Sequence, residues 1–208
     1  MPATPPISHD RGPPARLSDR PGELEAGSLQ LTRRAEAAGL IDVAFQRHDS
    51  PLGPILLAAT HDGLVRVGLP AEGEDAVIDE WARRISGRVL HAPRTVVTQA
   101  RHQLDEYFDH RRTRFDVALD WQLTGGFRRR VLSATVEIPY GQTASHTEIA
   151  SRAGSPRAGR AAGTALATNP LPIVVPCHRV LKSSGPLGAY RGGAEAKAVL
   201  FELERTPT

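Results

Sequence analysis

The sequence predicts two domains, an α/β domain followed by a mostly helical one. Three observations carry that prediction. Residues 41–69 hold short apolar runs separated by turn residues, residues 77–108 hold two apolar stripes at helical spacing, and beyond Asp120 only helical spacing and loops remain. The implied boundaries are a loose extension over 1–40, the α/β domain over 41–121 and the helical domain over 122–208.

Met1 to Gly39 is rich in Pro, Arg, Asp and Gly and lacks sustained periodicity, so it reads as loose, with a short helix over Ser28–Ala38. Ile41-Asp42-Val43-Ala44-Phe45 alternates as a strand does, Ser50-Pro51-Leu52-Gly53 is a turn, and Ile55–Thr60 is a second strand. Asp62-Gly63 signals a hairpin into a third strand over Leu64–Leu69, which makes a small antiparallel sheet. Val77, Ile78, Trp81 and Ile85 fall on one helical face that Gly87 ends, and Val97, Ala100, Leu104, Tyr107 and Phe108 form a second stripe after Pro93. In the second domain Phe127, Val131, Leu132 and Val136 share a face that stops before Pro139-Tyr140-Gly141. Ser145-His146-Thr147-Glu148 is a capping box, in which the Ser hydroxyl and the Glu three residues on each satisfy an exposed N–H. Its short helix runs to about Gly154. Ser155-Pro156 then opens a second helix over Arg157–Ala167, which stops before Asn169-Pro170. Two short helices joined by a tight turn resemble a helix-turn-helix, although many helical hairpins bind nothing.

Composition narrows the function classes. With 40% hydrophobic residues the 208-residue chain has the apolar content to bury a core. The first ten residues have no basic start followed by an apolar run, and no stretch nears the ~18 consecutive apolar residues of a membrane span. A cytoplasmic protein without a membrane partner is therefore expected. The single cysteine excludes an internal disulfide and fits a reducing compartment. The eight histidines lie far apart with no second cysteine, so no metal site is expected. Net charge is +3, but residues 127–208 hold eleven Lys and Arg against five Glu, a formal +6, while the rest of the chain is at −3. A basic second half either faces a polyanion or is a solvated surface.

The chemistry-bearing stretch is Ile173-Val174-Val175-Pro176-Cys177-His178-Arg179-Val180. An apolar run sets Cys177 in a dry neighbourhood and Pro176 restrains the backbone before it. A thiol in such a place is ordinarily an inert small hydrophobe. Beside an imidazole and a guanidinium it can instead reach the thiolate, with His178 taking the proton and an acid from elsewhere orienting the ring. Spacing alone leaves both readings open.

Pro176-Cys177-His178-Arg179-Val180 resembles the active-site motif of the O6-alkylguanine-DNA alkyltransferases (methylated-DNA–protein-cysteine methyltransferases). Other segments resemble that family in the same order. They are Phe127-Arg128-Arg129-Arg130-Val131, Ile138-Pro139-Tyr140-Gly141-Gln142-Thr143, Arg160-Ala161-Ala162-Gly163, Asn169-Pro170, Gly188-Ala189-Tyr190-Arg191-Gly192-Gly193, and Lys197 with Leu200–Glu204. The similarity covers roughly Asp105–Glu204, is looser back to Ile41, and leaves residues 1–40 uncovered.

The resemblance implies a ribonuclease-H-like first domain, a winged-helix second domain, and irreversible transfer of an alkyl group from O6-alkylguanine, and also O4-alkylthymine, to Cys177. Each molecule would act once, without metal or organic cofactor. A base inside a duplex is out of reach, so the nucleotide would be flipped from the minor groove into a pocket. Arg160 would fill the gap it leaves, with Arg157, Ala161, Gly163 and Arg179 also at the DNA. Cys177 would be the nucleophile, His178 the base acting through a water, and Glu204 the residue that orients His178. Asn169 would tie the recognition helix to the active-site segment. Tyr190, Arg191, His146, Val180 and Pro172 would contact the substrate. His146 stands where the family commonly has a tyrosine, and Arg191 is bulky for its position, so altered rate, pH dependence or adduct range is expected. The partner would be alkylated double-stranded DNA, bound by a monomer in the cytoplasm at the nucleoid, with cooperative assembly along DNA left open.

Three other readings compete. A non-enzymatic lesion sensor would bind O6-alkylguanine without a reactive cysteine, which Cys177 argues against. A winged-helix regulator explains the basic half but not Pro176–Arg179 together with Glu204. A cysteine hydrolase lacks an oxyanion-hole signature.

Overall fold

A computed structural model of the chain describes residues 30–32, 34–181 and 189–205. The expectation for 1–40 therefore lies mostly outside the described residues, although residues 30–32 and 34–37 are helical. The first domain is built on a sheet of four strands, β1 (Val43–His48), β2 (Ile55–Ala59), β3 (Leu64–Gly68) and β4 (Val89–His91), in the order β3-β2-β1-β4. β1, β2 and β3 pair antiparallel, but β4 runs parallel to β1, so the sheet is mixed rather than antiparallel. The cause is helix α1 (Glu74–Arg84), a crossover that returns the chain alongside β1. The Val89–His91 strand is only three residues long and is partly exposed, which hides it from a pattern search.

Alternation along β2 explains the layering. Ile55, Leu57 and Ala59 point to one side of the sheet, while Leu56 and Ala58 point to the other with Phe45, Val77 and Trp81. On the first side lies α2 (Thr95–Phe108), which buries Val97, Ala100, Leu104 and Tyr107. The same apolar cluster continues without a break into the second domain, through Val131, Leu132, Ile149, Leu166, Cys177 and Leu200. Helix α2 thus has the sheet on one flank and the second domain on the other, and the two domains share one core.

The second domain comprises α3 (Gly126–Val136), α4 (His146–Arg152), α5 (Gly159–Ala167) and α6 (Gly193–Arg205). A two-stranded parallel pair, β5 (Ala144–Ser145) with β6 (Val180–Leu181), joins the start of the helical hairpin to the end of the active-site segment. The capping box forms, with the Ser145 hydroxyl accepting from Glu148 N at 3.2 Å and Glu148 accepting from Ser145 N at 2.6 Å. α5 buries Ala162, Ala165 and Leu166 and leaves Arg160 and Ala161 in solvent, with Arg157 exposed just before it.

Candidate active site

Two short turns carry the reactive stretch. Asn169 and Pro170 follow α5, and the buried chain from Leu171 to Val175 folds back so that Val175 N donates to Leu171 O at 2.8 Å. Ile173 sits in this reversal at φ 73°, a left-handed conformation unusual for a β-branched residue, and is wholly buried. A single 3-10 turn, Cys177–Arg179, then presents the thiol and leads into β6.

Cys177 is buried and its sulfur accepts a hydrogen bond from Asn169 Nδ2 at 3.2 Å. The same amide nitrogen donates to Val175 O at 2.9 Å, and Asn169 Oδ1 accepts from Leu171 N at 2.9 Å. A fully buried side chain thus spends both N–H groups and its carbonyl on the segment that holds the nucleophile. Burial pushes the Cys177 thiol up to about 11, against the pull of the Asn169 hydrogen bond and the positive charge of Lys197. The resting sulfur is therefore a thiol, and a base must take its proton.

His178, also wholly buried, meets that need. Burial lowers its pKa and outweighs the raising effect of Glu204, so the ring is neutral at neutral pH. Nε2 lies 2.9 Å from Glu204 Oε1, while Nδ1 has no hydrogen-bond partner among the described residues. If Nε2 carries the hydrogen, Nδ1 is a lone-pair acceptor in a buried site.

Glu204 is the hub. Besides His178 its carboxylate accepts from Arg179 Nε at 2.8 Å, Arg179 Nη2 at 2.9 Å, the Tyr107 hydroxyl at 2.7 Å and Gly141 N at 3.2 Å. Burial alone would raise its pKa, but the His178 and Arg179 hydrogen bonds hold it down at about 2. Gly141 makes its contact at φ 70°, where a Cβ would come 3.0 Å from Glu204 O, so glycine suits this turn for both reasons.

Arg179, expected at the DNA, is buried instead. Its guanidinium forks onto Glu204 and its Nη1 donates to Ile138 O at 2.5 Å. A planar five-donor group matches a carboxylate bidentately, and the buried Glu204 supplies one. Arg191, expected at the substrate, turns away to carboxylates of the first domain, Glu72 and Glu80. Tyr190 is buried, its hydroxyl has no hydrogen-bond partner among the described residues, and it is near enough for the charge of Cys177 to act on it. Val180 and Pro172 are buried in the same segment. The His146 ring lies against α5, since a Cβ on Gly163 would come 3.2 Å from it. Arg157, Arg160 and Ala161 stand exposed on the open face of the helical hairpin.

Two contributors were given no role in the sequence reading, Lys197 being named there only within the last family-like segment. Tyr107 looked like one more apolar residue of its stripe, and its partner lies 97 residues away. Lys197 is 2% exposed and donates to Val180 O at 2.8 Å, so the ammonium both anchors β6 and favours the thiolate. A charged residue amid the apolar positions of the last helix is the signal that marks it.

Residues 37–121 match the family model described as 6-O-methylguanine DNA methyltransferase, ribonuclease-like domain, and residues 126–206 match its DNA binding domain. A methylated-DNA–protein-cysteine methyltransferase of Mycobacterium tuberculosis is 38% identical over 167 residues, covering 79% of this chain and 93% of that protein. The crystal structure of the M. tuberculosis O6-methylguanine methyltransferase is similar at a TM-score of 0.67 and 37% identity, covering 80% of this chain and 96% of that one. The crystal structure of M. tuberculosis OGT in complex with DNA is similar at a TM-score of 0.65 and 38% identity, covering 78% and 92%. A ribonuclease-like domain followed by a DNA-binding domain is the architecture the resemblance implied. Both halves match in order over most of their length, and this chain belongs to the 6-O-methylguanine DNA methyltransferase family, that of the methylated-DNA–protein-cysteine methyltransferases.

Proposed function

We propose that this chain repairs DNA by direct reversal, moving the alkyl group of O6-alkylguanine, and of O4-alkylthymine, onto Cys177 once per molecule. The observation that carries the reading is the buried line of Asn169, Cys177, His178 and Glu204. It gives the thiol a hydrogen-bond donor, a neutral base with an open nitrogen and an anion behind that base.

The steps follow from those groups. The Cys177 proton passes, through a water, to Nδ1 of His178, and Glu204 stabilises the resulting imidazolium. The thiolate attacks the alkyl carbon in line, the S–C bond forms, and the C–O6 bond breaks with its electron pair on the guanine. His146 donates a hydrogen bond to the base as that charge develops. The thioether does not hydrolyse, so the chain is spent. Arg160 holds the flipped-out arrangement from the minor groove, where the small residues Ala161, Ala162 and Gly163 allow close approach to the backbone. Arg157 contacts phosphate. The protein acts as a monomer in the cytoplasm, associated with the nucleoid. No described helix is long and apolar enough to cross a membrane.

A duplex carrying O6-methylguanine with a labelled methyl group tests the reading. Label should move to protein and stop at one equivalent per chain, whatever the DNA excess. Binding without label transfer would favour a lesion sensor, and continued turnover would exclude the suicide step.

His146→Tyr should raise the single-turnover transfer rate several-fold at neutral pH, because a phenol reaches further than an imidazole. An unchanged rate would remove His146 from the account of the departing base.

A further inference from the structure

Among the described residues a cluster of charged groups spans the two domains beside the candidate site. Arg66, on β3, is completely buried. Its guanidinium bonds Glu72, lies 3.2 Å from Glu80 Oε2, and also reaches Val67 O. Glu72 closes the short turn Pro70–Glu72 by accepting from Leu69 N at 2.9 Å, and Glu80 lies on α1. Onto these two carboxylates comes Arg191 from the second domain. Its Nε bonds Glu72 Oε2, its Nη2 lies 3.1 Å from Glu80 Oε2, and its Nη1 lies 3.3 Å from Thr168 O. Two arginines from different domains thus share the same pair of carboxylates.

Two further contacts bring the first domain against the walls of the site. Val67 N donates to Pro170 O at 2.9 Å, next to Asn169. A Cβ on Gly192 would come 2.6 Å from Leu69 Cδ1, so the segment after Arg191 rests on the first domain with no room to spare. Tyr190, one residue before Arg191, is buried close to Cys177. The guanidinium of Arg191 and the ring of Tyr190 therefore hang on adjacent backbone units, one fixed to the first domain and the other buried within electrostatic reach of the nucleophile.

We propose that Arg191, held by Glu72 and Glu80 with Arg66 behind them, is an interdomain clamp that positions Tyr190 and thereby limits the size of the O6 substituent the site accepts. The proposal rests on the reading of Cys177 as an O6-alkylguanine acceptor. Arg191 is a positioning residue, since the donors of its guanidinium are taken up by Glu72, Glu80 and Thr168 O and it acts through the Tyr190 backbone. Buried ion clusters contribute little net stability relative to apolar replacements, but they select one geometry over its neighbours. A clamp of this kind suits register better than strength. On this proposal the held arrangement admits a methyl group, and a benzyl group is accepted only if the Ala189–Gly192 segment shifts outward against the cluster.

The test compares single-turnover transfer from duplexes carrying O6-methylguanine and O6-benzylguanine. It uses the wild-type chain, Arg191→Ala, Glu80→Gln and the double variant, each assayed well below its unfolding midpoint. Arg191→Ala should slow methyl transfer and speed benzyl transfer, so that the benzyl-to-methyl rate ratio rises about tenfold. Glu80→Gln should move the ratio the same way, and the double variant should match Arg191→Ala because both changes break one unit. Should Arg191→Ala fail to fold, Arg191→Lys keeps the charge but cannot bridge both carboxylates, and should raise the ratio by a smaller factor. A ratio unchanged within twofold, or effects of the two single variants that multiply, would overturn the clamp. Methyl transfer by the wild-type chain in the same assay stands or falls separately, and its absence would instead remove the underlying alkyltransferase reading.

Discussion

Glu204→Ala is expected to abolish measurable alkyl transfer at neutral pH and to destabilise the fold by about 3–5 kcal/mol, the usual cost of leaving a buried charge without its partner. Five donors from four residues converge on this carboxylate, namely Tyr107, Gly141, His178 and the two nitrogens of Arg179. Removing the acceptor strands a guanidinium that is 5% exposed and a histidine that is wholly buried. Urea unfolding and single-turnover transfer measure the two effects. Glu204→Gln separates them, because the amide keeps the volume and one acceptor oxygen but loses the charge that stabilises the His178 imidazolium. It should fold better than the alanine variant and still transfer far more slowly than wild type.

The same carboxylate sets an acid limb of stability. Its pKa is depressed from an ordinary 4.5 to about 2, so the folded state releases that proton more readily than the unfolded chain. The stabilisation is fully present above the unfolded value and is lost as pH falls from about 4.5 to about 2. A shift of that size corresponds to about 3 kcal/mol. Glu204→Gln should flatten this limb, and an unchanged pH dependence of unfolding would contradict the placement of an ionised Glu204 in the core.

Arg160→Ala should cut transfer from duplex DNA about thirtyfold, which is roughly 2 kcal/mol, a loss on the scale of unstacking one base. Arg160 is exposed near the start of α5 and has no salt-bridge partner among the described residues, so the change leaves the core untouched. Transfer from free O6-benzylguanine base needs no flipping and should be unaffected. Equal losses with duplex and free base would mean that Arg160 supports the site itself, and no loss with either would remove it from the extrusion step.

Much of the fold was legible because its signals are local. The capping box at Ser145 and Glu148, the stripe of α2 and the turn at Asp62-Gly63 each involve neighbours in sequence. The parallel strand β4 was not legible, since three partly exposed residues carry no period and their partner lies across a helix. At the site, the reactive segment stood out through Pro176-Cys177-His178-Arg179, but the partners of its side chains did not. Arg179 and Arg191 look alike in sequence as basic residues near a DNA-binding site. Which charges they meet is decided by Glu204 25 residues from Arg179 and by Glu72 119 residues from Arg191. Tyr107 was hidden for the same reason, because a hydroxyl at the end of an apolar stripe shows its use only when the other domain packs against it.

The central claim is that Cys177 accepts the alkyl group, and intact-mass measurement with peptide mapping tests it most directly. After incubation with a duplex containing O6-methylguanine, the chain should gain the mass of one methyl group, confined to the peptide that contains Cys177, and Cys177→Ser should gain none. An unmodified Cys177 in a protein that binds the lesion tightly, or a methyl group found on another residue, would contradict the account.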